Sequence, residues 1–109
     1  KLVVVIQSEM GRTPTYNKGN GKDHWSIGSA MFLGQGIKGN RVIGATDENQ
    51  FLIPINPKML ILQKEKGIRV RPDHIHLALR ELAGIEDHAF SKQFSLAVPG
   101  NERLHGLWG

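Results

Sequence analysis

The run Leu2-Val3-Val4-Val5-Ile6, followed by the polar residues 7–25, decides how this chain reads. Consecutive β-branched residues and Leu without alternation are the pattern of a strand covered on both faces, as in the interior of a parallel or mixed sheet. After Ile6 the apolar residues nearly vanish, and Gly, Asn, Pro, Thr and charged residues take over. A long loop directly after a strand is uncommon in a compact domain unless it is functional or disordered. Further on, Ser29-Ala30-Met31-Phe32-Leu33 reads as a second strand closed by Gly34-Gln35-Gly36. Arg41-Val42-Ile43 and Phe51-Leu52-Ile53 read as short strands around the turn formers Thr46-Asp47-Glu48-Asn49. Residues 1–53 are therefore expected to hold the sheet strands and the motif loop.

The remainder reads as helix and tail. Residues 58–66 crowd Met59, Leu60, Ile61 and Leu62 together and suggest a short helix. Residues 72–84 carry the better helical pattern. Pro72 stands in the first turn, Asp73 near the positive end of the dipole, Ile75, Leu79 and Leu82 recur at spacings of four and three, and Gly84 closes the run. Residues 85–109 hold turn formers with few periodic positions and are expected to form an irregular tail.

With 109 residues the chain is one domain at most, and it opens inside an apolar run with no initiator Met, as the C-terminal part of a longer chain would. No stretch approaches the roughly 18 consecutive apolar residues of a membrane helix, so no membrane span is expected. The absence of Cys excludes a disulfide scaffold, thiolate zinc and cysteine catalysis. The net charge of +4 is concentrated around Lys58, Lys64, Lys66, Arg69, Arg71 and Arg80. No aromatic residues interleave with these cations, so they read as a solvated face and no nucleic-acid partner is expected.

The chemistry concentrates in Ser8-Glu9-Met10-Gly11-Arg12-Thr13-Pro14 and in Asn17-Lys18-Gly19-Asn20-Gly21-Lys22-Asp23-His24-Trp25. Ligands of α/β sheets bind beyond the carboxyl ends of strands, where this loop begins. Glu9 offers a carboxylate, and Asp23-His24 offers an oxygen beside an imidazole nitrogen, a mixture suited to zinc, manganese or iron. Arg12 is a fork donor of the kind that clamps phosphate or sulfate oxygens. The plainer reading of the same residues is an ion pair between Glu9 and Arg12 and a capped turn at Asp23-His24. Spacing alone does not choose between the two.

Other motifs fail on context. Gly34-Gln35-Gly36-Ile37-Lys38-Gly39 matches a dinucleotide fingerprint, but Arg41-Val42-Ile43-Gly44 after it is not helical. His74 and His76 are two apart and point in different directions on a helix, with His76 read as a packed or half-exposed helix residue. His88 and His105 read as solvated, and no Ser lies in a nucleophile elbow.

Taken in order, the loop motifs above, the Gly34–Gly39 run and Val42-Ile43-Gly44-Ala45-Thr46-Asp47 resemble an uncharacterised sulfatase-like family of exported bacterial proteins in the alkaline phosphatase superfamily. The likeness covers about residues 1–50 and continues weakly through the helix that ends near Ile85. It implies an α/β fold in which this chain is the C-terminal part of an alkaline-phosphatase-like α/β/α sandwich with a central mixed sheet. It implies a divalent metal ion, zinc or manganese, with Glu9, Asp23 and His24 as ligands and Arg12 as the contact to an anionic ester substrate. Met10 stands where relatives carry a second ligand, and the nucleophile and earlier ligands would lie in the missing N-terminal part of the same chain. The implied function is a fragment of a metal-dependent hydrolase of phosphate or sulfate esters, inactive alone, in a periplasmic or secreted protein. The alternative is a non-catalytic binding or surface protein that retains the fold.

Overall fold

The computed structural model describes residues 2–108. It is a mixed α and β structure made of two small antiparallel ribbons, two helices and a C-terminal segment of short turns. The strands are β1 (Val3–Gln7), β2 (Gly11–Arg12), β3 (His24–Trp25) and β4 (Ala30–Gly34), and the helices are α1 (Pro72–Leu82) and α2 (Ala89–Gln93). Among the described residues β1 pairs only with β4, with Val3 opposite Gly34 and Gln7 opposite Ala30, and β2 pairs only with β3.

The apolar run forms the expected strand, but not the expected burial. Val4, Val5 and Ile6 are 40%, 36% and 54% exposed, because among the described residues β1 has β4 as its one strand neighbour. The chain is correspondingly extended, measuring 48 × 29 × 29 Å. Its radius of gyration of 15.6 Å compares with ~13 Å for a compact globule of this length. β4 ends at Gly34 with φ +137°, where a Cβ would stand 2.2 Å from the Leu2 carbonyl oxygen, so only glycine closes this ribbon.

The core lies elsewhere, between residues 55–68, α1 and the C-terminal segment. Ile55, Leu60, Ala78, Leu104 and Leu107 are buried together. Ile55 exchanges both backbone hydrogen bonds with Ile68, at 2.9 and 2.8 Å. Gly67 fits against this pairing because a Cβ there would meet the carbonyls of Gln63 and Ile55 at 2.2 and 2.8 Å.

Residues 58–66 form turns rather than the expected helix. Asn56 is the cause: its Oδ1 accepts from the Lys58 and Met59 N–H groups, both at 2.9 Å, and its Nδ2 donates to Gln63 at 3.0 Å. Such local side-chain bonds compete with helix formation. They hold Leu60 at φ +58° within the core cluster. Residues 41–43 form no strand either; the nearby pairing is an isolated bridge between Thr46 and Leu52.

α1 forms where the sequence places it, stopping at Ala83 and Gly84, the latter at φ +70°. Its N-terminus is closed reciprocally: the Arg71 N–H donates to His74 Nδ1 at 2.9 Å, and the His74 N–H donates to the Arg71 carbonyl at 3.0 Å. The buried positions of α1 are His74 and Ala78, not the Leu79 and Leu82 of the apolar pattern, and His76 is exposed.

Residues 85–109 were expected to be an irregular tail, yet they contain α2, two 3-10 turns and two core leucines. Polar contacts strap this segment to α1. His74 Nε2 lies 3.0 Å from Glu102 Oε2, and Trp108 Nε1 donates to the Ala78 carbonyl at 2.8 Å. Arg103 sits between Glu81 of α1 and Glu86. Its hydrogen bond to Glu86, and secondarily the charge of Glu81, hold the guanidinium pKa above its ordinary value against the opposing effect of burial. The Arg103 guanidinium therefore keeps its charge in this contact.

Two stability outcomes follow from this packing. Ile55→Ala should cost about 2–5 kcal/mol in urea denaturation, the range for truncating a fully buried aliphatic residue. His74→Ala should be more damaging than Glu102→Gln, because it orphans the Arg71 N–H as well as Glu102, whereas Gln keeps an acceptor for His74. Equal midpoints for the two variants would show that the cap carries none of the stability.

Candidate functional site

The long polar loop is a folded hairpin. β2 and β3 form its base, with Gly11 opposite Trp25 and Arg12 opposite His24. Gly11 is required there, since a Cβ would stand 2.0 Å from the Ile27 carbonyl oxygen and 2.8 Å from that of Trp25. Thr13 continues the pairing: its N–H donates to the Asp23 carbonyl at 3.0 Å, and its Oγ1 accepts from the Asp23 N–H at 3.1 Å.

Asn17 organises the tip. Its Oδ1 accepts from Gly19 N–H at 2.9 Å and Gly21 N–H at 3.1 Å, while its Nδ2 donates to Asp23 Oδ1 at 2.9 Å. Its backbone N–H donates to the Gly21 carbonyl at 2.8 Å. Asn20 takes φ +58°, a left-handed conformation that Asn tolerates better than most residues. The Lys22 ammonium lies 5.0 Å from the centre of the Tyr16 ring, a cation–π contact at the surface.

The expected site residues separate into two groups. Arg12 and His24 are brought together, because directly opposed residues of an antiparallel pair project to the same face with Cβ atoms about 4.5–5.5 Å apart. Both are exposed, and Arg12 also donates to the Lys22 carbonyl at 3.3 Å. Glu9 lies in an exposed bend before β2, and Glu9 and Arg12 form no ion pair among the described residues. Asp23 serves the loop through Asn17. Among the described residues no group of three or more His, Asp or Glu side chains could hold a metal ion.

The base of the hairpin is anchored to the chain beyond it by Trp25. Its Nε1 donates to the Gln50 carbonyl at 3.1 Å, and its ring meets Phe51 at 5.4 Å between centroids. Beside it, Ser26, Ile27, Phe51, Leu52, Val70 and Pro72, with Arg69 and Arg71 at the edge, line an open groove of about 530 Å³. Reading the sequence missed this groove, because its walls come from segments far apart in the chain. The role of Asn17 was missed too, although Asn followed by Gly at two and four positions is the signal of such a turn.

The family model described as Protein of unknown function (DUF1501) matches residues 1–59, which include both ribbons and the Asn17 loop. No curated protein matches the chain, and no solved structure does.

The loop geometry gives a direct test. Asn17→Ala should remove about 1–3 kcal/mol of local stability, since three hydrogen bonds of modest net worth are lost together. Amide exchange at Gly19 and Gly21 should accelerate while exchange at Ile55 stays unchanged. Uniform acceleration across the chain would show that the loop is not an independent unit.

Proposed function

The chain belongs to the DUF1501 family of proteins of unknown function, and from that premise we propose that it is part of a metal-dependent hydrolase of phosphate or sulfate esters. The observation that carries this reading is the pairing of Arg12 with His24 on one face of the β2–β3 ribbon. A guanidinium matches tetrahedral oxyanions, and an imidazole is a metal ligand. Side by side, the two suit an anion held between a cation at His24 and the Arg12 fork.

The residues of the site fit a divalent ion, zinc or manganese, only in part. His24 and Glu9 are the ligands this reading keeps, and Asp23 acts through Asn17 as the organiser of the loop. The ion would polarise an ester oxygen and activate a nucleophile. In this reading the remaining ligands and the nucleophile come from a preceding segment of a longer, exported chain. That chain would complete an alkaline-phosphatase-like α/β/α sandwich, covering the exposed faces of β1 and β4.

A second reading, a non-catalytic binding or surface protein that keeps the fold, is favoured by one observation. Asp23 Oδ1 and an Arg12 nitrogen already make hydrogen bonds inside the hairpin, so both residues have a structural use without any ligand.

Assays of p-nitrophenyl phosphate and p-nitrophenyl sulfate with added zinc or manganese separate the two. In a longer natural chain that contains these residues, His24→Ala should weaken metal binding and lower kcat/KM by about 100-fold or more. Arg12→Ala should lower it by about 10–100-fold, chiefly through lost contacts to the anionic ester, with metal binding retained. The 109 residues alone should not turn over either ester. Metal-dependent turnover by them would overturn the placement of the nucleophile elsewhere, and an inactive longer chain over a broad ester panel would favour the binding protein.

A further inference from the structure

We propose that the polar cleft between residues 56–68 and the C-terminal segment binds a small sugar phosphate. The site lies outside the β2–β3 hairpin and stands apart from the hydrolase reading. The cleft has a volume of about 480 Å³, with Asn56, Lys58, Gln63 and Lys66 on one wall and Asn101 and Glu102 on the other. That volume falls within the range of about 300–1,000 Å³ for small-molecule pockets.

Both walls are fixed without a ligand. On the first, Asn56 Oδ1 accepts from the Lys58 N–H at 2.9 Å, and its Nδ2 donates to Gln63 Oε1 at 3.0 Å. The Gly67 N–H donates to the Gln63 carbonyl at 3.0 Å and closes the turn that carries Lys66. On the second, the Glu102 N–H donates to the Pro99 carbonyl at 2.9 Å, and Glu102 Oε2 faces Nε2 of the buried His74 at 3.0 Å. A cleft ordered in advance loses little conformational freedom when a ligand enters.

The polar groups left over define the occupant. Lys58 and Lys66 are exposed and enter no ion pair among the described residues. Ammonium groups bind phosphate as point charges. With Oε1 occupied by Asn56, Gln63 presents Nε2 as a donor that has no partner among the described residues. Asn101 makes no side-chain hydrogen bond among them either, and Glu102 keeps Oε1 as an acceptor. Such amides and a carboxylate exchange hydrogen bonds with hydroxyls, which replaces the hydration a sugar loses on entry.

Charge orients the ligand. The Glu102 carboxylate repels a second anionic group on its wall, so the phosphate belongs beside the lysines and the hydroxylated body beside Asn101 and Glu102. Among the described residues no aromatic side chain lines the cleft, so an aryl body has no ring to stack on.

The test is an NMR titration of the chain with glucose 6-phosphate, inorganic phosphate, glucose and 2-naphthyl phosphate, followed at the side-chain amide resonances of Gln63 and Asn101. Glucose 6-phosphate should shift both and bind about tenfold or more tightly than each of the other three probes. The double variant Lys58→Gln/Lys66→Gln should weaken glucose 6-phosphate about tenfold or more. Asn101→Ala should weaken it several-fold and leave inorganic phosphate unchanged. All three substitutions are at exposed positions, and circular dichroism would confirm that the variants are folded. Equal affinity for inorganic phosphate or 2-naphthyl phosphate would overturn the sugar phosphate as occupant. Shifts confined to the hairpin amides of Gly19 and Gly21, or affinity that survives loss of both lysines, would overturn the cleft as the site.

Discussion

His74 uses both ring nitrogens, and the described structure depends on that double use. Nδ1 accepts the Arg71 N–H, closing the first turn of α1, while Nε2 faces the Glu102 carboxylate 3.0 Å away. With Nδ1 as acceptor, the proton of the neutral ring belongs on Nε2, where Glu102 receives it. The imidazole is 2% exposed, so neither nitrogen has water as a substitute partner. One side chain thus starts the longest helix and holds the C-terminal segment over it. Leu104 and Leu107 reach the core through this attachment, and Trp108 extends it to Ala78 and to Phe32 of β4, 5.7 Å between ring centroids.

The hairpin that carries Arg12 and His24 is held by different means. Its order comes from hydrogen bonds made by Asn17, Thr13 and the glycines, with almost no apolar burial. Such a unit keeps its shape where a hydrophobic core is not available, which suits a surface that meets a polar ligand. Its cost is a weak tie to the rest of the chain, which runs through Trp25 to Gln50 and Phe51.

Much of this was legible in the sequence, for local reasons. α1 shows in Pro72, Asp73 and the apolar spacing, β1 shows in a β-branched run, and β4 in an apolar run closed by Gly34. The chemistry-bearing loop shows because polar residues crowd after a strand. The failures have one physical origin, in that they depend on partners distant in sequence. Leu104 and Leu107 look like turn residues until α1 and Ile55 are placed beside them. His74 carries no local signal of burial, because its partner Glu102 lies 28 positions on. Burial of Val4, Val5 and Ile6 requires a covering layer, and the contact of Trp108 with Phe32 does not supply one. Residues 58–66 fail in the reverse direction: a local bond network at Asn56 overrides an apolar run that any helix would accept.

The pairing of Arg12 with His24 also limits what the site can do. With the Cβ atoms of the pair about 5 Å apart, the Arg12 guanidinium raises the positive potential around the His24 imidazole, so a cation there is opposed by Arg12 unless carboxylates offset it. Glu9 and Asp23 are the carboxylates nearest this pair in sequence. An anion reverses the balance. It is attracted by Arg12, by the imidazole N–H and by any bound cation at once, and these contributions add rather than compete. The charge on this face therefore favours an anion, alone or beside a cation, over a lone cation.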